Sequence, residues 1–283
     1  MIKRRFTYHS PDSLDEALGA LAEHGSDAEV VGGGTWVVPE MTHGARVPGH
    51  VVDLRRAGLA GVAESNGGVS IGAMTTYAQL AGAPLIAERA GSLATMAAGI
   101  TGGAQVRNQG TLGGSACYAT PSSDAPGALV GLDATMNLRS SSGSRAVAAG
   151  DFFTGAFEAD VSEGEVLESI TLPAPPAGVR FGYYKLKLVE SSWPIATATA
   201  VVGVGVDGKL TAVRISVGGV NTKPYLVDTQ ELVGSSIDDD AAAAVMTAAR
   251  AGATDPYTDV LASGEYRQQV SGVVAKRALL AAA

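Results

Sequence analysis

Residues 99–124, GITGGAQVRNQGTLGGSACYATPSSD, constrain this chain more than any other stretch. They hold six glycines, and no helix or strand period runs through them, so a loop is expected. Glycine weakens regular structure, and such a density marks backbone in special conformations or pressed close to something else. The centre, Thr111-Leu112-Gly113-Gly114-Ser115, has the chemistry of a phosphate cradle. N–H groups without side-chain cover converge on an anion, and hydroxyls add donors. The alternative is a Gly-rich surface loop. A second stretch weighs against that alternative. Val30-Val31 runs into Gly32-Gly33-Gly34-Thr35-Trp36, a short apolar strand that breaks into an anion-facing turn. Two such loops can clamp the two phosphates of one dinucleotide. Neither fits GxxxxGK[ST] or GxGxxG.

Taken in order, the chain alternates strand and helix. Leu14, Ala17, Leu18 and Leu21 have helical spacing, with Ser13 and Glu16 as a capping box and Gly25 as the stop. Strands are expected at Ala28–Val31 and His50–Leu54, closing a small α/β subdomain near residue 57. A second α/β unit follows: a strand at Val69–Ala73, a helix capped by Thr75 or Thr76, helical pieces at Pro84–Arg89 and Ser92–Ala98, and a buried helix at Ala125–Leu132. Strands at Met136–Arg139, Arg145–Ala149 and Val166–Leu172 complete it, with a helical turn at Asp151–Phe153 and a hairpin turn within Ser140–Ser144. Pro173–Gly178 is the clearest boundary, because proline cannot donate to a ladder. Beyond it three strands, Phe181–Lys187, Ile195–Val206 and Leu210–Val217, precede helices around Leu226–Val233, Asp240–Ala251 and Glu265 onward. Strands followed by helices indicate an α+β domain with a three-stranded antiparallel sheet. Gly203–Gly208 matches GxGxxG literally, but Asp207-Gly208 between two β-rich runs is a hairpin signal.

Bulk properties narrow the partners. A net charge of −8 argues against nucleic acid or an anionic membrane. One cysteine, Cys117, allows no internal disulfide and no iron–sulfur cluster held by this chain alone; it is expected to be a small buried thiol. The basic N-terminus lacks an apolar leader, and no apolar run reaches the roughly 18 residues of a membrane span, so a cytoplasmic protein is expected. The four histidines, His9, His24, His43 and His50, have no ligand spacing and no supporting Cys or acid cluster. No metal site is expected, and His24 is assigned to the carbonyls closing its helix. No GxSxG elbow is present.

The segments GGGTWVVP, VVDLRR, IGAMTTYAQL and VRNQGTLGGSACYATPSSDAP together resemble the FAD-binding medium subunit of molybdenum hydroxylases, nearest in kind to the carbon monoxide dehydrogenase flavoprotein. The resemblance runs from PDSLDEAL to YRQQVSGVVAKRAL, almost the whole chain. It implies a two-part FAD domain of the vanillyl-alcohol-oxidase/PCMH type over residues 1–175, divided near residue 57 into 1–57 and 58–175. The α+β C-terminal domain, 176–283, would close over the isoalloxazine edge. It places the pyrophosphate on Gly32–Trp36 and Thr111–Ser115, adds Leu167 to the cofactor contacts, and sets Asp124 beside the nucleotide. Asp124 also suits the cap of the helix after it. Trp193 either lies against the flavin ring or simply packs beside Pro194. Lys185 and Lys187 either neutralise flavin charge or face solvent. Two departures stand out: Thr35-Trp36 replaces the common His-Ser, and Lys187-Leu188-Val189-Glu190 replaces a Lys/Arg-rich segment.

The resemblance further implies electron transfer with no acid/base dyad. A small iron–sulfur subunit would carry [2Fe–2S] clusters and a large subunit the molybdenum cofactor, doubled into a dimer of heterotrimers. The rival functions are a stand-alone flavin oxidase or reductase and a non-enzymatic interaction protein.

Overall fold

The computed structural model describes Ile2 and residues 4–283; Met1 and Lys3 of the basic N-terminal run lie outside it. The first helix, α1 (Leu14–His24), forms as its spacing dictates: Leu14, Ala17, Leu18 and Leu21 are buried. Ser13 Oγ accepts from the Glu16 N–H at 3.2 Å. The Glu16 carboxylate reaches back to the N–H of Asp12, one residue earlier than a capping box requires. Gly25 ends the helix with φ +52. Under α1 lies a parallel sheet of β1 (Thr7–His9), β2 (Ala28–Val31) and β3 (His50–Asp53), in the order β1-β3-β2. The apolar stripe of α1 covers Val52 and Leu54. β2 delivers the chain to Gly32 at the carboxyl end of this sheet, and α2 (Val37–His43) follows.

The second unit differs from expectation. Its sheet is antiparallel, so the unit is α+β. β4 (Val62–Ser65), β5 (Gly68–Gly72), β6 (Thr135–Ser140), β7 (Gly143–Ala148) and, after a short hairpin of β8 (Phe153–Gly155) and β9 (Glu158–Ala159), β10 (Val166–Leu172) lie in the order β4-β5-β10-β6-β7. Tight turns impose this: Asn66 and Gly67 both take positive φ between β4 and β5, the geometry of a two-residue hairpin. Packed with this sheet are α3 (Tyr77–Gly82), α4 (Pro84–Arg89), α5 (Gly91–Ala98), α6 (Gly103–Gln109), α7 (Leu112–Tyr118), α8 (Asp124–Gly131) and α9 (Ala149–Phe152). Thr76 and Gln79 form the full capping box of α3. The glycine-rich stretch is therefore largely helical. Thr111 Oγ1 caps α7 by accepting from the Gly114 N–H at 3.1 Å. Gly113 is in α7 for closeness: a Cβ there would lie 2.5 Å from that of Ala73.

The C-terminal sheet runs β11 (Val179–Lys187), β12 (Pro194–Val204), β13 (Leu210–Gly218) and β14 (Tyr225–Leu226), all antiparallel. The three expected strands are joined by a short fourth. The GxGxxG match is the β12–β13 hairpin, closed by Gly205 N–H to Lys209 O at 2.8 Å. The helix expected at 226–233 reduces to a 3₁₀ turn at Gln230–Leu232, because β14 takes Leu226 and Tyr225 OH is tied to Ala249 O at 2.7 Å. α10 (Asp239–Gly252) and α11 (Gly264–Leu280) contribute, with the sheet, to one core. α8 also packs on β13 across a small-residue seam, where Ser216 Oγ donates to Gly127 O at 2.6 Å. Among the described residues no helix is long and apolar enough to cross a membrane.

Candidate functional site

A cleft of about 950 Å³, counted out to its mouth, runs between the first sheet and α7. Gly32, Gly33, Gly34, Thr35 and Trp36 line it on one side, and Thr111, Gly113, Gly114 and Ser115 on the other. The two glycine stretches touch. A Cβ on Gly33 would lie 1.9 Å from Gln109 O, and one on Gly32 would lie 3.1 Å from Thr111 Oγ1. Only glycine allows this approach.

The two stretches differ in what they offer a ligand. The N–H groups of Gly33, Gly34, Thr35 and Trp36 donate to no acceptor among the described residues. Gly34 takes φ +70, which turns the chain from strand into α2. The N–H groups of Leu112 and Gly113 are spent on Thr75 O and Ala73 O, and that of Gly114 on Thr111. The first stretch is thus a row of free donors, and the second supplies a smooth wall with the Ser115 hydroxyl, which bonds Tyr77 OH at 2.5 Å. Leu112 does not reach the cleft; its side chain is in the core. Leu167 does line it, with Val161, Glu165 and Val166.

The remaining candidates gather around an adjoining hollow of about 480 Å³, which shares Thr35, Trp36 and Ser115 with the cleft and is lined also by Asp124 and Trp193. α8 begins at Asp124 and not after it, and Ser123 in the cap position makes no side-chain cap. The Asp124 carboxylate instead accepts from Tyr183 OH at 2.5 Å and Lys185 Nζ at 2.9 Å, both on β11. Lys185 also donates to Thr101 Oγ1 and Gly99 O. Its ammonium therefore holds α8 and the loop after α5 to the C-terminal sheet. Burial pushes the Asp124 carboxyl up from its ordinary range, and Lys185 and Tyr183 pull it back. Lys187 pairs with Glu190.

Trp193 packs on the first loop. Its ring centroid lies 4.7 Å from that of Trp36, which stacks on Tyr118 at 4.7 Å and 15°. Tyr118 OH donates to Glu40, and Glu40 and Glu29 both bind Arg46, a cleft residue that no sequence signal marked. Tyr118 lies within SACYATP, where no local pattern marks its stacking on Trp36 from the distant first loop. Opposite, Arg145 holds the Glu165 carboxyl down to about 2 by hydrogen bonding. Desolvation pushes the Cys117 thiol up to about 12, which keeps it a thiol at neutral pH, although its side chain is only half-buried and lines the cleft. His24 stacks on His50 at 3.6 Å instead of engaging the end of α1.

These features fit FAD. Free backbone donors suit a pyrophosphate, and the aromatic and apolar lining suits flat rings. Residues 4–175 match the family described as the FAD binding domain in molybdopterin dehydrogenase, and residues 182–282 match the CO dehydrogenase flavoprotein C-terminal domain. The chain is 33% identical to the carbon monoxide dehydrogenase medium chain of Afipia carboxidovorans, covering 99% of this chain and 97% of that one. It is 32% identical to the glyceraldehyde dehydrogenase medium chain of Sulfolobus acidocaldarius, covering 98% of both. Among solved structures, carbon monoxide dehydrogenase from Hydrogenophaga pseudoflava superposes with a TM-score of 0.93 at 34% identity, covering 100% of this chain and 98% of that one. Quinoline 2-oxidoreductase from Pseudomonas putida 86 superposes at 0.89 with 30% identity, over 100% and 98% of the two chains. With both halves matched and full-length relatives on either measure, the chain belongs to the FAD-binding medium subunits of molybdenum hydroxylases.

Proposed function

We propose that this chain relays electrons from iron–sulfur clusters on a partner subunit, through its FAD, to an external acceptor. The observation that carries the reading is the cleft: a row of free N–H donors facing a glycine wall. Bound there, FAD supplies the electron transfer, and the chain supplies binding and orientation. In this reading the N–H groups of Gly33–Trp36 hold the pyrophosphate. Ser115 and Leu167 shape the cleft, and Arg46, tied to Glu29 and Glu40, braces the wall beside the first loop. Asp124 and Lys185 lock the C-terminal sheet over the adjoining hollow, with the Trp36–Trp193 pair at its rim.

With a single cysteine, the chain needs partners for everything else. We assign [2Fe–2S] clusters to a small subunit and the molybdenum cofactor to a large one, assembled as a dimer of heterotrimers. A cytoplasmic setting accords with a chain that carries one thiol and no disulfide. Relatives of this chain serve dehydrogenases named for carbon monoxide and glyceraldehyde, which supports placing substrate choice on another subunit.

The test is isolation of the affinity-tagged chain from its source organism under gentle conditions. Expected are three kinds of chain, with FAD, molybdenum and iron in constant ratio. A homogeneous flavoprotein without molybdenum or iron that turns over substrate alone would overturn the proposal.

A further inference from the structure

Three of the four histidines come together on the first sheet, at a place unconnected with the cleft. β1 and β3 pair in parallel with Thr7 opposite His50 and His9 opposite Val52. Side chains alternate between faces, so His9, His50 and Val52 share one face. Val52 is fully buried beneath α1. α1 therefore crosses this face, and its last residue is His24. The result is a cluster built from three separate elements. His24 stacks on His50 at 3.6 Å, and His9 lies at 5.0 Å from His24 and 5.2 Å from His50 between ring centroids. His9 Nε2 and His50 Nδ1 are 2.9 Å apart. Each of the three offers a ring nitrogen within 4.8 Å of the other two, and all three side chains are half-buried.

We propose that His9, His24 and His50 form a binding site for a borderline divalent transition-metal ion, zinc foremost. Among the described residues no carboxylate or thiolate joins the group. An all-imidazole set selects against calcium and magnesium, which want oxygen ligands, and suits zinc, nickel or copper. Zinc–nitrogen bonds of about 2.0 Å in tetrahedral geometry place ligands roughly 3.4 Å apart, so separations of up to 4.8 Å need to close by up to about 1.4 Å and the 2.9 Å His9–His50 pair to open by about 0.5 Å. Half-exposure leaves the fourth position to water. The ion would pin β1 and the end of α1 to the first residue of β3.

The experiment uses the full, FAD-loaded chain, stripped with chelator and titrated with Zn²⁺ by calorimetry, followed by zinc X-ray absorption of the saturated protein. Expected are one ion per chain and a first shell dominated by imidazole nitrogen. His24→Ala and His50→Ala should each weaken binding by at least about tenfold, the lower end of what losing even an outer-shell partner costs a metal site. His43→Ala, on the exposed fourth histidine, should leave binding unchanged. A thermal midpoint that rises with Zn²⁺ in the wild type should stay fixed in His24→Ala. No saturable uptake by the wild type, wild-type affinity in His24→Ala or His50→Ala, or an oxygen-dominated shell would each overturn the site. The absorption experiment needs only the wild type, so a variant that folds poorly does not leave the question open.

Discussion

Replacing Gly33 by alanine isolates what contact between the two glycine stretches contributes. Gly33 does not have a positive φ, so backbone strain is no part of the effect; the added Cβ is all of it. That atom would stand 1.9 Å from Gln109 O and 2.6 Å from its carbonyl carbon. Ordinary contact is about 3.5 Å, so the walls must part by roughly 1.5 Å. Overpacking of this size costs about 1–3 kcal/mol of stability. The larger effect falls on the cofactor. An anion held by four free N–H groups cannot keep its opposite wall after such a shift, and a hydrogen bond to a charged group is worth about 1.5–3 kcal/mol. Losing two gives about 3–6 kcal/mol, a hundredfold to ten-thousandfold rise in the FAD Kd. The assay is titration of the apoprotein with FAD, following quenching of flavin fluorescence. Gly19→Ala is the matched control: nothing lies within 4 Å of its Cβ, and it sits inside α1. It should leave Kd unchanged and raise stability by about 0.5–1 kcal/mol. Gly33→Ala binding FAD within about threefold of wild type would refute the two-walled cleft.

Three further expectations follow from the same contacts. Asp124→Asn leaves the Lys185 ammonium buried without its carboxylate, at a cost of about 3–5 kcal/mol in urea unfolding, and adding Lys185→Met should recover most of it; a cost near zero would contradict a buried pair. The Glu165 carboxyl is held below its ordinary value, so its bond to Arg145 stabilises the fold above the unfolded carboxyl range, near pH 4.5, and that stability is lost as pH falls toward about 2. Glu165→Gln should therefore lower the urea midpoint at pH 7 and converge on wild type at low pH; a gap that stays constant would refute this. With its pKa raised to about 12, the half-buried Cys117 thiol should react slowly with a disulfide reagent at pH 8 in the native chain and readily in denaturant; fast native labelling would show a thiolate that the raised pKa does not permit.

What the sequence disclosed and what it hid divide along one line, the range of the interactions. α1, the capping threonine of α3 and the Asp207-Gly208 hairpin rest on contacts within a few residues, and each has a local signature. The glycine stretch misled because two causes of glycine look alike in a sequence. Gly34 is there for its φ, and it does mark a turn. Gly113, Gly127 and Gly131 are there because another segment presses on them: Ala73 on the first, Gly218 on the second, Ser216 and Thr199 on the third. Those contacts leave a helix intact, so α7 and α8 carry glycines that local rules count as breakers. The same reasoning covers Asp124. Beside the chain of α8 it is a helix-start residue, and only β11, about sixty residues later, turns its carboxylate toward Lys185 and Tyr183. The histidines are the extreme case. No linear spacing connects His9, His24 and His50, because their meeting depends on β1 pairing with β3 in one register and on α1 crossing above it. A shift of β1 by one residue would send His9 to the opposite face and dissolve the cluster.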